Sequence, residues 1–214
     1  MPRQFHRPAR LDPEAAESLQ GSEDTAVSSE LAHRSAQALV GGFPEDPGLT
    51  REGVVRAVAS QGLDDVAELW ADSPATTLPG TLWRLLLVRE WLRRDPELVA
   101  RRYATIIDLS DDAEAVTRLE TALAEAQRVP SPEELLAALD TVLAGHAHGV
   151  ASLAPLLTTT AGFLRALAAG STPEWIEVDT DELADRVTRR DSALTATADE
   201  LVEAARRAAA SRLD

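Results

Sequence analysis

The apolar residues of this chain are mostly alanine and leucine, and they recur together with arginine and glutamate over long stretches. These four residue types have high helix propensities, whereas the β-branched and aromatic clusters that build strands are scarce. Aromatic residues make up only 4% of a chain that is 44% hydrophobic. A length of 214 residues is sufficient to bury a substantial core. The sequence therefore predicts an all-α protein.

Apolar residues recur at spacings of three and four, and glycine and proline separate the apolar segments. We predict an irregular bundle of about eight helices, with a long C-terminal helix that extends from about residue 179 to 211. Other helices are predicted at about 26–40, 51–60, 63–71, 81–94, 96–107, 111–128 and 151–169. Trp175–Val178 is the one segment predicted to be extended.

The start of one further helix has a clear signature. Ser131 is placed as the N-cap, Pro132 at the first helical position, and Glu134 three residues after the cap. This arrangement is a capping box, in which the two polar side chains satisfy backbone N–H groups of the first turn. Gly145 is expected to end the helix after roughly 14 residues.

The first 25 residues are polar and contain Pro2, Pro8 and Pro13, which predicts a flexible N-terminal arm over residues 1–25. Residues 26–214 are predicted to form a single helical domain. Acidic residues follow the basic start where a secretory signal would be apolar, and no segment approaches 18 uninterrupted apolar residues. We therefore expect a cytoplasmic protein that does not associate with membranes.

The chain contains no cysteine and no lysine, so all 21 basic residues are arginine. Thiolate chemistry, Schiff bases and the lysine of a P-loop are thereby excluded. No glycine-rich phosphate loop or hydrolase motif occurs. His146 and His148 form a His-x-His pair, but a zinc site needs at least three protein ligands, and a surface loop explains the pair better. We predict a non-enzymatic protein with no catalytic residue, no cofactor and no metal.

Arginines concentrate between residues 84 and 102, where six of them stand against three acidic residues. The net charge of this stretch is +3. A helical wheel places four charged residues on one arc, and they are predicted to face solvent: Arg89, Glu90, Arg93 and Arg94.

Arg84 and Arg102 fall on the apolar faces of two successive predicted helices, beside Trp91 and Tyr103 respectively. A buried and unpaired charge costs several kcal/mol, so each guanidinium needs a partner. One interpretation is that carboxylates pair with them or that their stems reach solvent; the candidate partners are Asp108, Asp140 and Glu177. The other is that they line a cleft and bind an anion bidentately, with Trp91 and Tyr103 as further candidate ligand residues.

The formal net charge of −15 opposes generic binding to nucleic acid or to anionic membranes. Residues 51–71 have the spacing of a helix-turn-helix, but the second predicted helix is acidic and contains no basic residue. Nucleic acid is therefore a disfavoured partner. The long C-terminal helix suits either packing along its own bundle or the seam of a homodimer.

The segments Leu78–Arg84, Arg89–Trp91 and Arg101–Tyr103 resemble a group of small helical actinobacterial proteins of unknown function. Two later segments, Phe163–Gly170 and Thr197–Asp214, are similar to the same group. The resemblance extends over about half of the chain. It implies an all-helical fold and no particular activity.

Helical surfaces, segregated charge and the lack of catalytic motifs favour a protein–protein interaction function with an unidentified protein partner. A binding protein for a small anionic ligand is the alternative hypothesis, and a nucleic-acid-associated protein is the third. A cleft containing both Arg84 and Arg102 would support the second hypothesis, whereas a contiguous exposed apolar patch would support the first.

Overall fold

A computed structural model of the chain describes residues 25–41, 49–60, 66, 69–108, 129–169 and 181–214. Within these residues there is no strand, and the predicted all-α fold is confirmed. Seven α-helices are present in the described ranges: α1 (Thr25–Val40), α2 (Arg51–Ser60), α3 (Leu78–Arg94), α4 (Pro96–Asp108), α5 (Pro132–Thr141), α6 (Ala154–Ala169) and α7 (Asp181–Ala209).

The long C-terminal helix is confirmed, because α7 comprises 29 residues. The predicted helix over 111–128 and most of the one over 63–71 lie outside the described residues, as do the segment Trp175–Val178 and residues 1–24 of the predicted arm.

The capping box at the start of α5 forms as predicted. The Ser131 hydroxyl oxygen accepts a hydrogen bond from the Glu134 N–H at 3.2 Å, and the Ser131 N–H donates to the Glu134 carboxylate at 2.9 Å. The α-helix itself is shorter than predicted, because a π-helical turn over Val142–His146 replaces its last turn. Gly145 ends that turn at a φ of 79°, in the left-handed region that glycine adopts readily.

Helix α3 begins at Leu78, about three residues earlier than predicted. Thr77 is its N-cap, and the Thr77 hydroxyl accepts a hydrogen bond from the Gly80 N–H at 3.3 Å. Pro79 lies in the first turn of this helix, where proline is well tolerated. Gly80 is needed for the close packing of this turn, because a Cβ there would lie 2.1 Å from the Pro74 carbonyl oxygen.

The core is centred on α6, which packs along α7. On α6 the buried residues include Leu157, Phe163 and Leu167, at the spacings of one helix face. On α7 the buried positions include Leu201 and several alanines that let the two helices approach closely. These alanines are Ala198, Ala204, Ala205 and Ala208.

Within the described residues, one helical stretch, Val150–Ala169, is long and apolar enough to cross a membrane by length and composition alone. Half of its most apolar window is buried inside the protein. The core helix of a soluble protein meets the same criteria, so this stretch is weak evidence for a membrane span.

Arg51, in the first turn of α2, ties together the ends of two other helical segments. Its guanidinium donates from Nε to the Ala38 carbonyl oxygen at 3.2 Å and from Nη1 to the Gly145 carbonyl oxygen at 3.2 Å. Carbonyl groups at helix C-termini carry partial negative charge, which suits a cation. This contact joins α1, α2 and the end of α5 into one unit.

Candidate functional site

A small apolar groove lies between α3 and α7, with a volume of about 180 Å³. We call it the α3–α7 groove. Its residues are mostly aliphatic or aromatic, with one cation: Arg84, Leu87, Val88, Trp91, Leu164, Leu194 and Thr197. Leu87 is 42% exposed, so this apolar side chain borders the groove on the solvent side.

Helical spacing explains how the groove forms. Positions 84, 87, 88 and 91 of α3 are three or four residues apart, so their side chains form one stripe along the helix. Leu194 and Thr197 of α7 are three apart and face that stripe from the opposite side of the groove. Leu164 of α6 is buried and lines the groove between them.

Sequence reasoning missed the groove, although one signal was available. Residues 85–88 are four successive apolar residues within a helix. Four successive positions cover an arc of about 300°, which is wider than the buried side of a surface helix. At least one of the four side chains therefore faces solvent, and in the structure it is Leu87.

Arg84 lines the groove, and its positive charge is paired with a carboxylate. Its Nε donates to the Glu200 carboxylate, and its Nη1 donates to the Gly80 carbonyl oxygen at 2.8 Å. The side chain is 19% exposed, in agreement with its predicted position on the inward face of the helix. Its partner is a residue that sequence analysis did not name.

Arg102 is 14% exposed and forms an ion pair with Asp191, with Nη1 at 3.2 Å from Oδ1. It is not among the residues that line the α3–α7 groove. Asp191 and Glu200 are nine residues apart on α7, which corresponds to about 14 Å and about two and a half turns of an ideal helix, so their side chains leave it on opposite sides. Arg84 and Arg102 therefore contact α7 at different heights and on different sides.

The two aromatic candidate residues, Trp91 and Tyr103, also lie at different places in the structure. Trp91 lines the groove with Arg84. Tyr103 stacks on Phe163, with ring centroids 6.4 Å apart and an angle of 24° between the rings. Of the four predicted ligand residues, Arg84 and Trp91 come together at one groove, and Arg102 and Tyr103 are not part of its lining.

The prediction that Arg89 faces solvent is wrong, because Arg89 is only 7% exposed. Its guanidinium donates to the Glu90 carboxylate, with Nη2 at 2.7 Å from Oε1, and Nη2 also lies 3.4 Å from the Val58 carbonyl oxygen of α2. The neighbouring Arg93 binds Asp140 of α5 at 2.6 Å. Arg89 Nε also lies 4.0 Å from Asp140 Oδ1. Residues of α2 and α5 therefore contact this side of α3, and its charged residues join the three helices.

A second cavity, of about 400 Å³, lies where α1 and α2 meet Trp70. At this cavity the Trp70 indole Nε1 donates a hydrogen bond to the Ser35 hydroxyl at 2.9 Å. The same hydroxyl donates to the Ala32 carbonyl oxygen at 2.9 Å. Both polar groups are buried and satisfied within the protein.

Among the described residues, no three His, Asp or Glu side chains are close enough together to hold a metal ion. His146 and His148 are exposed in the segment that follows α5. Glu203 on α7 lies outside the described lining of both cavities. A hydrogen bond from Arg207 at 2.9 Å lowers the pKa of this carboxyl group.

No protein-family model matches the chain, and comparisons with curated proteins and with solved structures give no match. The family resemblance inferred from the sequence therefore stays a prediction, and functional inference rests on the geometry of the two cavities.

Proposed function

We propose that this chain is a non-enzymatic interaction protein that binds a partner protein at the α3–α7 groove. The partner element is an amphipathic helix that inserts one large apolar side chain between Leu87 and Leu194. The observation that carries the proposal is the exposure of Leu87 beside a concave surface formed by Trp91, Leu194 and Leu164. Docking of an apolar helix face into such a groove is a common mode of peptide recognition.

The size of the groove favours a side chain over a free ligand. Pockets for small molecules usually have volumes of roughly 300–1,000 Å³. The groove is smaller, at about 180 Å³, and its outer rim is open toward Leu87. Space of this size suits one leucine-like or aromatic side chain that remains attached to a larger partner.

The charges beside the groove support an apolar occupant rather than an anion. Arg84 would have to release Glu200 in order to bind an anionic ligand, and Arg102 would have to release Asp191. Breaking a partly buried pair leaves a carboxylate without its counter-ion, which costs free energy. In the described part of the chain, no buried side-chain polar atom lacks a hydrogen-bond partner. The anionic-ligand hypothesis therefore has less support than the interaction hypothesis.

A partner of different sequence is favoured over a second copy of this chain. Two chains with a net charge of −15 repel each other. In addition, Leu201 and Ala205 of α7 are buried within their own domain, so that half of the helix is not available as a dimer seam.

We also propose that the interaction takes place in the cytoplasm and that the complete bundle has about eight helices. Nucleic acid stays the least supported partner because of the charge.

The test compares two leucines that are equally exposed. Leu87 and Leu31 are both 42% exposed and both lie in helices, but Leu31 is on α1 and does not line the groove. The tagged full-length chain, Leu87→Glu and Leu31→Glu are each purified from the native cells, and co-eluting proteins are identified by mass spectrometry. We expect a stoichiometric partner that is retained by Leu31→Glu and lost by Leu87→Glu.

Circular dichroism of both variants checks that the fold is intact, and light scattering of the purified chain measures its oligomeric state. A partner retained equally by both variants would place the interaction at another surface. A dimer that Leu87→Glu dissociates would show that the occupant is a second copy of the chain. Either result would contradict the proposal as stated.

A further inference from the structure

The cavity between α1, α2 and Trp70 is more than twice as large as the α3–α7 groove, at about 400 Å³ against about 180 Å³. Its walls are predominantly aliphatic and include Val54, Ala57 and Val58 of α2, together with Leu49, Val66 and Leu69. No charged residue is present among its described lining residues.

The polar side chains among the described lining residues form hydrogen bonds within the protein. Trp70 Nε1 donates to Ser35, and the Ser35 hydroxyl donates onward to a carbonyl oxygen of its own helix. The Thr50 hydroxyl accepts a hydrogen bond from the Gly53 N–H at 3.1 Å and caps the start of α2. The walls therefore present an almost entirely apolar surface to an occupant.

Among the described residues that line the cavity, a charged ligand finds no counter-ion. Arg51 is adjacent in sequence, but its guanidinium binds the Ala38 and Gly145 carbonyl oxygens. Glu52 adds a negative charge to the first turn of α2 and would repel an anion there. The described lining therefore favours a molecule without charge, and an anion is the least favoured occupant.

We propose that this cavity binds a small neutral apolar molecule, such as an aliphatic chain of medium length or a ligand with one or two aromatic rings. Protein interiors are close-packed, and an apolar space of this size loses dispersion contacts when it is empty. An apolar cavity of roughly 150 Å³ is sufficient to bind benzene, and this one is within the range typical of ligand pockets. The site is independent of the α3–α7 groove, and the proposal stands whether or not a protein partner is found.

Two probes of equal chain length test the chemistry. The melting temperature of the full chain is measured by circular dichroism with 1-octanol and with octanoate, at the same concentrations and at neutral pH. We expect 1-octanol to raise the melting temperature in a saturable way and octanoate to have little effect. An equal rise with both probes would refute the selection against charge, and no rise with 1-octanol would refute the site.

A matched pair of variants tests the location. Ala57→Leu places extra side-chain atoms in the cavity, whereas Ala196→Leu places the same atoms on the exposed surface of α7. The response to 1-octanol should be lost in Ala57→Leu and retained in Ala196→Leu. An unchanged response in Ala57→Leu would show that the probe binds elsewhere.

Methyl NMR of the unmodified chain provides a second measurement that does not depend on a variant. Titration with 1-octanol should shift the methyl resonances of Val54, Val58 and Leu69 and leave the core residue Leu157 unchanged. Shifts that are absent from the three cavity residues would overturn the proposal even if the melting temperature rises.

Discussion

Replacement of Arg89 by methionine tests whether the Arg89 guanidinium links α3 to α2 and α5 or is exposed to solvent without stabilising contacts. Methionine keeps most of the apolar stem and removes the guanidinium, so the packing of the stem against its neighbours is largely preserved. Arg94, in the same helix and exposed, provides a matched control with the same substitution.

The expected cost follows from the contacts of the guanidinium. Loss of the hydrogen bond to the Val58 carbonyl oxygen is worth about 1 kcal/mol, and loss of the charged contacts with Glu90 and with the more distant Asp140 adds roughly 0.5–1 kcal/mol in total. Glu90 does not become an isolated buried charge, because its side chain is 30% exposed and lies 3.6 Å from Arg93. We therefore expect Arg89→Met to lower the free energy of unfolding by roughly 1.5–2 kcal/mol.

Urea unfolding followed by far-ultraviolet circular dichroism measures this difference. In a protein of this size, 1 kcal/mol corresponds to about 2–4 °C, so the melting temperature should fall by about 3–8 °C. Arg94→Met should change the free energy of unfolding by less than about 0.5 kcal/mol. If the two variants are equally stable, Arg89 is solvated in solution and the description of α3 as contacted on this side by α2 and α5 is wrong.

Three further predictions concern individual contacts, each measured by the change in free energy of unfolding in urea. Ser131→Ala removes the N-cap of α5 and should cost about 1 kcal/mol, whereas Ser131→Asp should be nearly neutral. Gly145→Ala should cost more than about 1 kcal/mol, because φ is 79° and the new Cβ would lie 2.9 Å from Val55 Cγ2; a neutral result would contradict this backbone conformation. A double-mutant cycle of Arg84→Met and Glu200→Gln should give a coupling of about 0.5–1.5 kcal/mol that decreases at high salt, and additive effects would show that the pair is not formed.

The local features of the fold could be predicted from the sequence because their causes are local. The capping box needs only Ser131 and Glu134, which are three residues apart, and the end of the following segment needs only Gly145. The inward side of α6 follows from the spacing of its leucines. In each of these cases, residues within one or two turns determine the structure.

The carboxylate partners of Arg84 and Arg102 could not be predicted, because each partner is distant from its arginine in sequence. Arg84 and Glu200 are 116 positions apart, and Arg102 and Asp191 are 89 apart. A helical wheel identifies a residue that faces inward, but it contains no information about the helix that lies opposite. The same limit explains the error at Arg89, which a wheel places on the solvent side and which residues of α2 and α5 contact.

Helix α7 contributes to the core, to the groove and to both ion pairs. Its C-terminal half packs into the core, and its middle supplies Leu194 and Thr197 to the groove. These two residues lie between Asp191 and Glu200, which bind Arg102 of α4 and Arg84 of α3. The ion pairs therefore hold this wall of the groove at both ends before a partner arrives, and a preformed surface lowers the ordering cost of binding. Because both guanidinium groups are paired with carboxylates of α7, the two inward-facing arginines are better explained as groups that position the wall of the groove than as ligands for an anion.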